Sequence, residues 1–95
     1  MSSQTLHLEP DVARQTAAAM KTNAQDIESL VKKLQTQIND FVGTNWQGNA
    51  AVQFQTEFET WFTKISQETT DLSTLSDTLE KEIQNLEAAA SSLGG

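Results

Sequence analysis

The chain has 95 residues, which predicts one small domain with a single core close to the lower size limit for stability. Six Lys and Arg residues against 13 Asp and Glu residues give a net charge of -7, which argues against nucleic acid and anionic membrane surfaces as partners. The absence of Cys excludes a disulfide framework and a thiolate metal site, and no apolar stretch approaches the roughly 18 residues of a membrane span.

Residues 1–9 lack hydrophobic periodicity and are expected to form a flexible lead, without the basic cluster and apolar run of a cleavable signal peptide. A helix start is predicted at Pro10, because Pro tolerates the first helical position and the acidic neighbours Glu9 and Asp11 favour the positive end of the helix dipole. We predict helix 1 over residues 10–42. Its apolar residues alternate spacings of four and three, which is the heptad pattern of one continuous seam. The seam has two columns, Ala17, Ala24, Val31 and Ile38 in one and Ala13, Met20, Ile27, Leu34 and Phe41 in the other.

Helical periodicity stops at residues 43–49, which include Trp46-Gln47-Gly48. Gly43 suits a helix end with left-handed backbone angles, and Gly48 followed by Asn49 suits the start of a new helix. The chain is therefore expected to fold back on itself here. Trp46 is expected to bury its ring between the splayed helices and to donate its indole N–H to a carbonyl.

Helix 2 is predicted over residues 50–91, followed by a short tail at 92–95, because no Pro or Gly interrupts residues 49–93. One column of apolar residues recurs every seven positions along helix 2, and three aromatic residues widen this apolar face near the turn. The column comprises Ala51, Phe58, Ile65, Leu72, Leu79, Leu86 and Leu93, and the aromatic neighbours are Phe54, Trp61 and Phe62. In the far half, the companion column shifts from Leu75 to Ile83 and Ala90.

The predicted fold is all-α, an antiparallel helix-turn-helix hairpin forming a single domain. Antiparallel pairing about the turn is expected to set side chains opposite one another as Leu34 with Phe58, Ile27 with Ile65, Val31 with Trp61 and Ala17 with Leu75. Helix 1 begins near residue 10, so residues after about Glu82 are expected to form an apolar overhang. Two rods touch along one line only, and on the order of 1,000 Å² of apolar seam would stay exposed, above the few hundred Å² usual for a monomer. We therefore expect a second hairpin, identical or related, to complete a four-helix bundle.

The tripeptide Trp46-Gln47-Gly48, near the midpoint of a chain of this length with a long helical pattern on each side, resembles the WXG motif of small bacterial proteins exported by type VII secretion. This resemblance to the early-secreted-antigen-like family covers nearly the whole chain. It implies Trp46 and Gly48 as the turn motif, a homodimer or a heterodimer with a related hairpin, and the secretion ATPase as a partner. It also implies a secreted or cell-surface destination, reached from the cytoplasm without signal cleavage.

Members of this family commonly carry a C-terminal export signal in which an aromatic residue, usually Tyr, precedes an acidic residue by four positions. This chain has no Tyr, and its nearest match is Ile83 with Glu87, followed by Ala90. Either this weaker pattern suffices or a heterodimer partner supplies the signal. The competing interpretation is an intracellular adaptor or chaperone-like hairpin that binds a helix of a larger effector and targets it for export.

Catalytic chemistry is not expected. His7 is the only His and lies in the predicted lead, so no triad or metal set can be assembled around it. Carboxylate pairs such as Glu57 and Glu59 fall on a predicted helix without a convergent pocket, which is typical of a solvated face. The sequence predicts no enzyme activity and no cofactor.

Overall fold

The computed structural model describes residues 7–94 and consists of two long α-helices folded into an antiparallel hairpin. Helix α1 spans Pro10–Thr44 and helix α2 spans Asn49–Gly94. The principal extents are 70 × 24 × 15 Å. The predicted helical hairpin is therefore confirmed. Of the predicted lead, residues 1–6 lie outside the described residues, and residues 7–9 precede α1 in non-helical conformation.

Local chemistry explains both ends of α1. Glu9 holds the N-cap position with an extended backbone, Pro10 follows as the first helical residue, and Asp11 lies in the first turn. At the other end, regular helical geometry is lost at Val42 and Gly43. Helix α2 continues to Gly94, so the predicted tail at 92–95 is wrong through residue 94, since the alanines before it favour helix and no Pro stops it.

The two helices meet through small residues. The hydroxyl of Ser76 donates a hydrogen bond of 2.7 Å to the backbone carbonyl of Ala17, and Ser76 is only 2% exposed. A side chain as short as Ser reaches the opposite backbone only where the helices approach closely. The buried residues of the interface are Ala13, Ala17, Ala24 and Val31 on α1 and Ala51, Thr69, Ser76 and Ile83 on α2.

This interface corrects two of the predicted cross-helix pairs. Ala17 lies opposite Ser76 and not Leu75, which is 56% exposed. Trp61 is 44% exposed, so it does not face the buried Val31. The column that faces α1 runs at strict sevens through Phe62, Thr69, Ser76 and Ile83. Apolar periodicity does not reveal this column, because two of its members carry hydroxyl groups.

The prediction that residues beyond Glu82 lack a partner in the chain is also wrong. Ile83 is 0% exposed, and Glu87 forms an ion pair with Arg14 of α1. The intrachain contact reaches this far because the register places Ile83 level with Pro10, which is itself half-buried together with Leu8. The long Arg14 side chain then extends the contact by another turn. Any overhang therefore begins after Glu87.

Replacing Ala17 with Leu tests the close approach. The larger side chain forces the helices apart at the Ser76 contact, and we expect the free energy of unfolding to fall by about 1–3 kcal/mol. Ala18→Leu is the matched control, since Ala18 is exposed. Urea unfolding followed by far-ultraviolet circular dichroism measures both variants. Equal stability of the two variants would contradict the packing described.

Candidate functional site

The turn between the helices is held by backbone hydrogen bonds that converge on Trp46. Its N–H donates to the carbonyl of Phe41 at 3.1 Å, and its own carbonyl accepts from the N–H of Gly43 at 2.9 Å. The Asn45 N–H also donates to Phe41, and the Gln47 side chain donates to the Gly43 carbonyl, each at 2.9 Å. The backbone of Trp46 is thus fixed from both sides, which orients its side chain.

The indole ring of Trp46 lies between one aromatic residue from each helix. Its ring centroid is 5.9 Å from that of Phe41 at the end of α1 and 5.6 Å from that of Phe54 in the first turns of α2, both tilted. Such contacts stabilise aromatic pairs beyond the area they bury. Trp46 is half-buried, and its indole N–H forms no hydrogen bond among the described residues, so the prediction of a carbonyl partner is wrong. The ring therefore links the adjacent ends of the two helices through apolar contacts.

Gly43 and Gly48 adopt backbone angles that side chains disfavour. Their φ values are 108° and 113°, and apart from the adjoining backbone no atom lies within 4 Å of where a Cβ would stand. Glycine is needed here because of backbone conformation and not because of crowding. The Gly48 carbonyl accepts from the N–H of Val52 at 3.1 Å and so begins the hydrogen bonding of α2.

One long face of the hairpin, which we name the apolar face, carries large exposed hydrophobic side chains from both helices. On each helix, the residues that face the other helix recur every seven positions. The exposed side chains of the apolar face stand three residues after or one residue before these positions. In an antiparallel pair, the same rotational offset falls on the same face for both helices. Its exposed members are Leu30, Leu34 and Phe41 on α1 and Phe54, Trp61, Leu75 and Leu86 on α2.

Half-buried side chains form the floor of the apolar face. They belong to the seam predicted from the sequence and comprise Met20, Ile27, Phe58, Phe62, Ile65, Leu72 and Leu79. Near the turn, Phe58 packs against Trp61 with ring centroids 5.6 Å apart and against Phe62 at 6.3 Å. The predicted seam residues thus lie along one face of the hairpin, and many of them remain open to one side.

The opposite side of the interface, which we name the polar face, is closed by hydrogen bonds between the helices. On each helix, its residues stand four or eight positions after a residue that faces the other helix. They therefore lie on the side of the helix contact that is opposite to the apolar face. The cross-helix pairs are Arg14 with Glu87, Lys21 with Asp77 at 2.8 Å and Ser73 at 2.9 Å, Gln35 with Glu59 at 3.3 Å, and Gln55 with Asn39 at 3.0 Å. The hydrogen bond from Glu87 raises the pKa of Arg14 above its ordinary value. These polar side chains therefore find partners within the chain.

The predicted C-terminal signal residues differ in accessibility. Ile83 is buried, Glu87 is paired with Arg14, and Ala90 is exposed.

Elsewhere, Nε2 of His7 lies 3.5 Å from a carboxylate oxygen of Glu9, and residues 7–94 hold no cluster of three or more His or acidic side chains that would suit a metal ion. Within the same range, neither helix has a stretch apolar enough to span a membrane.

The chain matches a known protein family over most of its length. The family model WXG100, described as proteins of 100 residues with WXG, matches residues 5–93. No curated protein and no solved structure matches the chain.

Gly48→Ala tests the backbone requirement of the turn. We expect the free energy of unfolding to fall by about 1–3 kcal/mol, because Ala is strained at this positive φ although space for its methyl group exists. Thr44→Ala is the control in the same turn, at an exposed position assigned to α1. Thermal unfolding monitored by circular dichroism compares them. An unchanged midpoint for Gly48→Ala would show that the turn relaxes freely.

Proposed function

Because the chain belongs to the WXG100 family, we propose that it is a small type VII secretion substrate that acts as a dimer through its apolar face. The observation that carries the proposal is the contrast between the two long faces of the hairpin. Cross-helix hydrogen bonds close the polar face, whereas Leu30, Phe54 and Trp61 stay exposed on the other.

The extent of the apolar face supports a helical partner. Its exposed side chains run from Phe41 and Phe54 beside the turn to Leu86 far along α2, so a small ligand would cover only a part. Large contiguous apolar patches on soluble proteins mark interaction sites. A second hairpin laid along the face would complete a four-helix bundle and bury both seams.

The turn motif fits the role of an anchor. Trp46 touches Phe41 and Phe54, and both of these residues also belong to the apolar face. The ring therefore shapes the end of the surface on which we propose that the partner docks. Recognition by the export machinery would then involve the same end of the bundle, where the motif remains half exposed.

We further propose that Ile83, Glu87 and Ala90 form the export element that the secretion ATPase recognises. The spacing resembles the family pattern, with Ile83 in place of the aromatic residue. Since this residue is buried, the accessible part of the element is Glu87, which is partly exposed, together with Ala90.

An adaptor that escorts a larger effector is the second candidate, and the missing Tyr is the observation in its favour, because the escorted partner would then supply the signal. The two functions differ in where the chain ends up. Intact chain in the culture medium, dependent on the secretion ATPase, supports the substrate function. Retention of the chain inside cells while its partner is exported supports the adaptor.

Leu30→Ser tests the apolar face against a matched control. Leu30 is 63% exposed on this face, and Val52 is 60% exposed on the opposite side of the hairpin. We expect Leu30→Ser to weaken self-association about tenfold by removing apolar burial, while Val52→Ser leaves it unchanged. Sedimentation equilibrium at about 0.5 M NaCl, where charges are screened, measures both. A native chain that stays monomeric at high micromolar concentration would rule out a homodimer through the apolar face.

Glu87→Ala tests the proposed export element. Asp77→Ala is its control, because each change removes one acidic residue of α2 and its ion pair with α1. If Glu87 is read during export, we expect the secreted amount to fall severalfold for Glu87→Ala alone, as quantified by immunoblotting of culture medium against cell extract. Equal secretion of the two variants would assign Glu87 a purely structural role.

A further inference from the structure

The apolar face has an acidic border. Exposed charged residues flank it on both helices, standing two positions after the buried or half-buried residues that recur every seven positions at the helix contact, and two more interrupt the row of Phe54, Trp61 and Leu75. The flanking residues are Asp26, Lys33, Asp40, Glu57, Lys64 and Asp71, and the interrupting residues are Glu68 and Glu82. Six acidic and two basic side chains give this border a net charge of 2 - 6 = -4.

Among residues 7–94, the border charges have no charged partner, although the Asp71 carboxylate accepts a hydrogen bond of 3.1 Å from the Gln67 side chain. Within the part of the chain that the structure describes, none of the eight takes part in a salt bridge. The cations Arg14, Lys21 and Lys32 are paired with carboxylates on or beside the polar face. Half of the basic residues of the chain are thus used within the hairpin, away from the surface that a partner would cover.

A second copy of the chain is a poor electrostatic match for this border. A symmetric dimer sets the same patch of both copies face to face. The border is net acidic on each helix, by 1 - 2 = -1 on α1 and 1 - 4 = -3 on α2, so every symmetric arrangement brings net negative edges together. Glu68 and Glu82 stand within the apolar row itself, where a partner would remove water from them, and a carboxylate in such a place needs a cation.

We propose that the preferred occupant of the apolar face is a different helical chain, with its own apolar face bordered by Lys and Arg. The inference rests on the proposed dimerisation through this face and specifies the chemistry of the partner. Apolar burial supplies the attraction, and the border selects against self-pairing. Two lysines cannot neutralise six carboxylates, whereas a basic border of similar length can.

A charge-reversed copy of the chain serves as the probe. It carries Glu57→Lys, Glu68→Lys, Asp71→Lys and Glu82→Lys, and it retains the apolar side chains of the face. At about 50 mM NaCl, we expect the native chain to bind this copy at least about tenfold more tightly than it binds itself, and at about 0.5 M NaCl we expect the difference to shrink. Sedimentation equilibrium on the separate and mixed chains measures the affinities.

Two further variants separate the border from overall charge. The border-neutral variant carries Glu57→Gln, Glu68→Gln, Asp71→Asn and Glu82→Gln. The control gains the same four charges at exposed positions outside the face, through Gln15→Lys, Gln25→Lys, Thr60→Lys and Thr74→Lys. We expect about tenfold tighter self-association at low salt for the border-neutral variant and a smaller gain for the control.

Native self-association as tight as binding to the charge-reversed copy at both salt concentrations would overturn the inference and leave the proposed dimer intact. Failure of every pair to associate, the border-neutral variant included, would remove the dimer itself. The two failures are therefore distinguishable.

Discussion

The close approach of two long helices along a single line is the constraint on which the other features depend. Small residues permit it, and the hydrogen bond from Ser76 to the Ala17 carbonyl shows that the backbones approach closely there. A narrow contact line buries little of each helix, because side chains on both flanks remain at the surface. With only eight residues buried in the described chain, the hairpin has a thin core for its length. Apolar side chains on the rest of its surface are therefore open to burial by a partner.

The two flanks resolve this constraint in opposite ways. On the polar face, side chains such as Lys21 and Gln35 reach across to the other helix, so the hairpin satisfies that flank by itself. On the apolar face, aromatic and aliphatic side chains point away from the contact line. Within residues 7–94, they form no hydrogen bonds that link the two helices. Exposed ion pairs contribute little free energy, typically below about 1 kcal/mol. The polar links thus set register more than stability, and apolar burial remains the main free energy to be gained from assembly.

Much of the hairpin was predictable because its determinants are local. Pro10 and Gly43 mark the ends of α1 through their own backbone preferences, and uninterrupted heptads predict long helices. The exact facing of α2 was not predictable by the same means. Thr69 and Ser76 are buried because the opposite residues are Ala, so their position follows from the pairing and not from their own polarity. Their strict spacing from Phe62 to Ile83 was the signal that could have revealed them.

The far end of α2 joins this packing to the proposed export element. Ile83 contributes a fully buried side chain to the end of the interface, and Glu87 is held by an ion pair in which both side chains are about two-fifths exposed. Burial of the isoleucine is the stronger tie, because the exposed pair is screened by water. A receptor that reads Ile83 must therefore first open the end of the hairpin around Pro10, whereas one that reads Ala90 need not. The start of α1 and the segment of α2 around Ile83 thus form one structural unit. Recognition of the buried Ile83 requires free energy to open this unit, whereas recognition of the exposed helix around Ala90 does not.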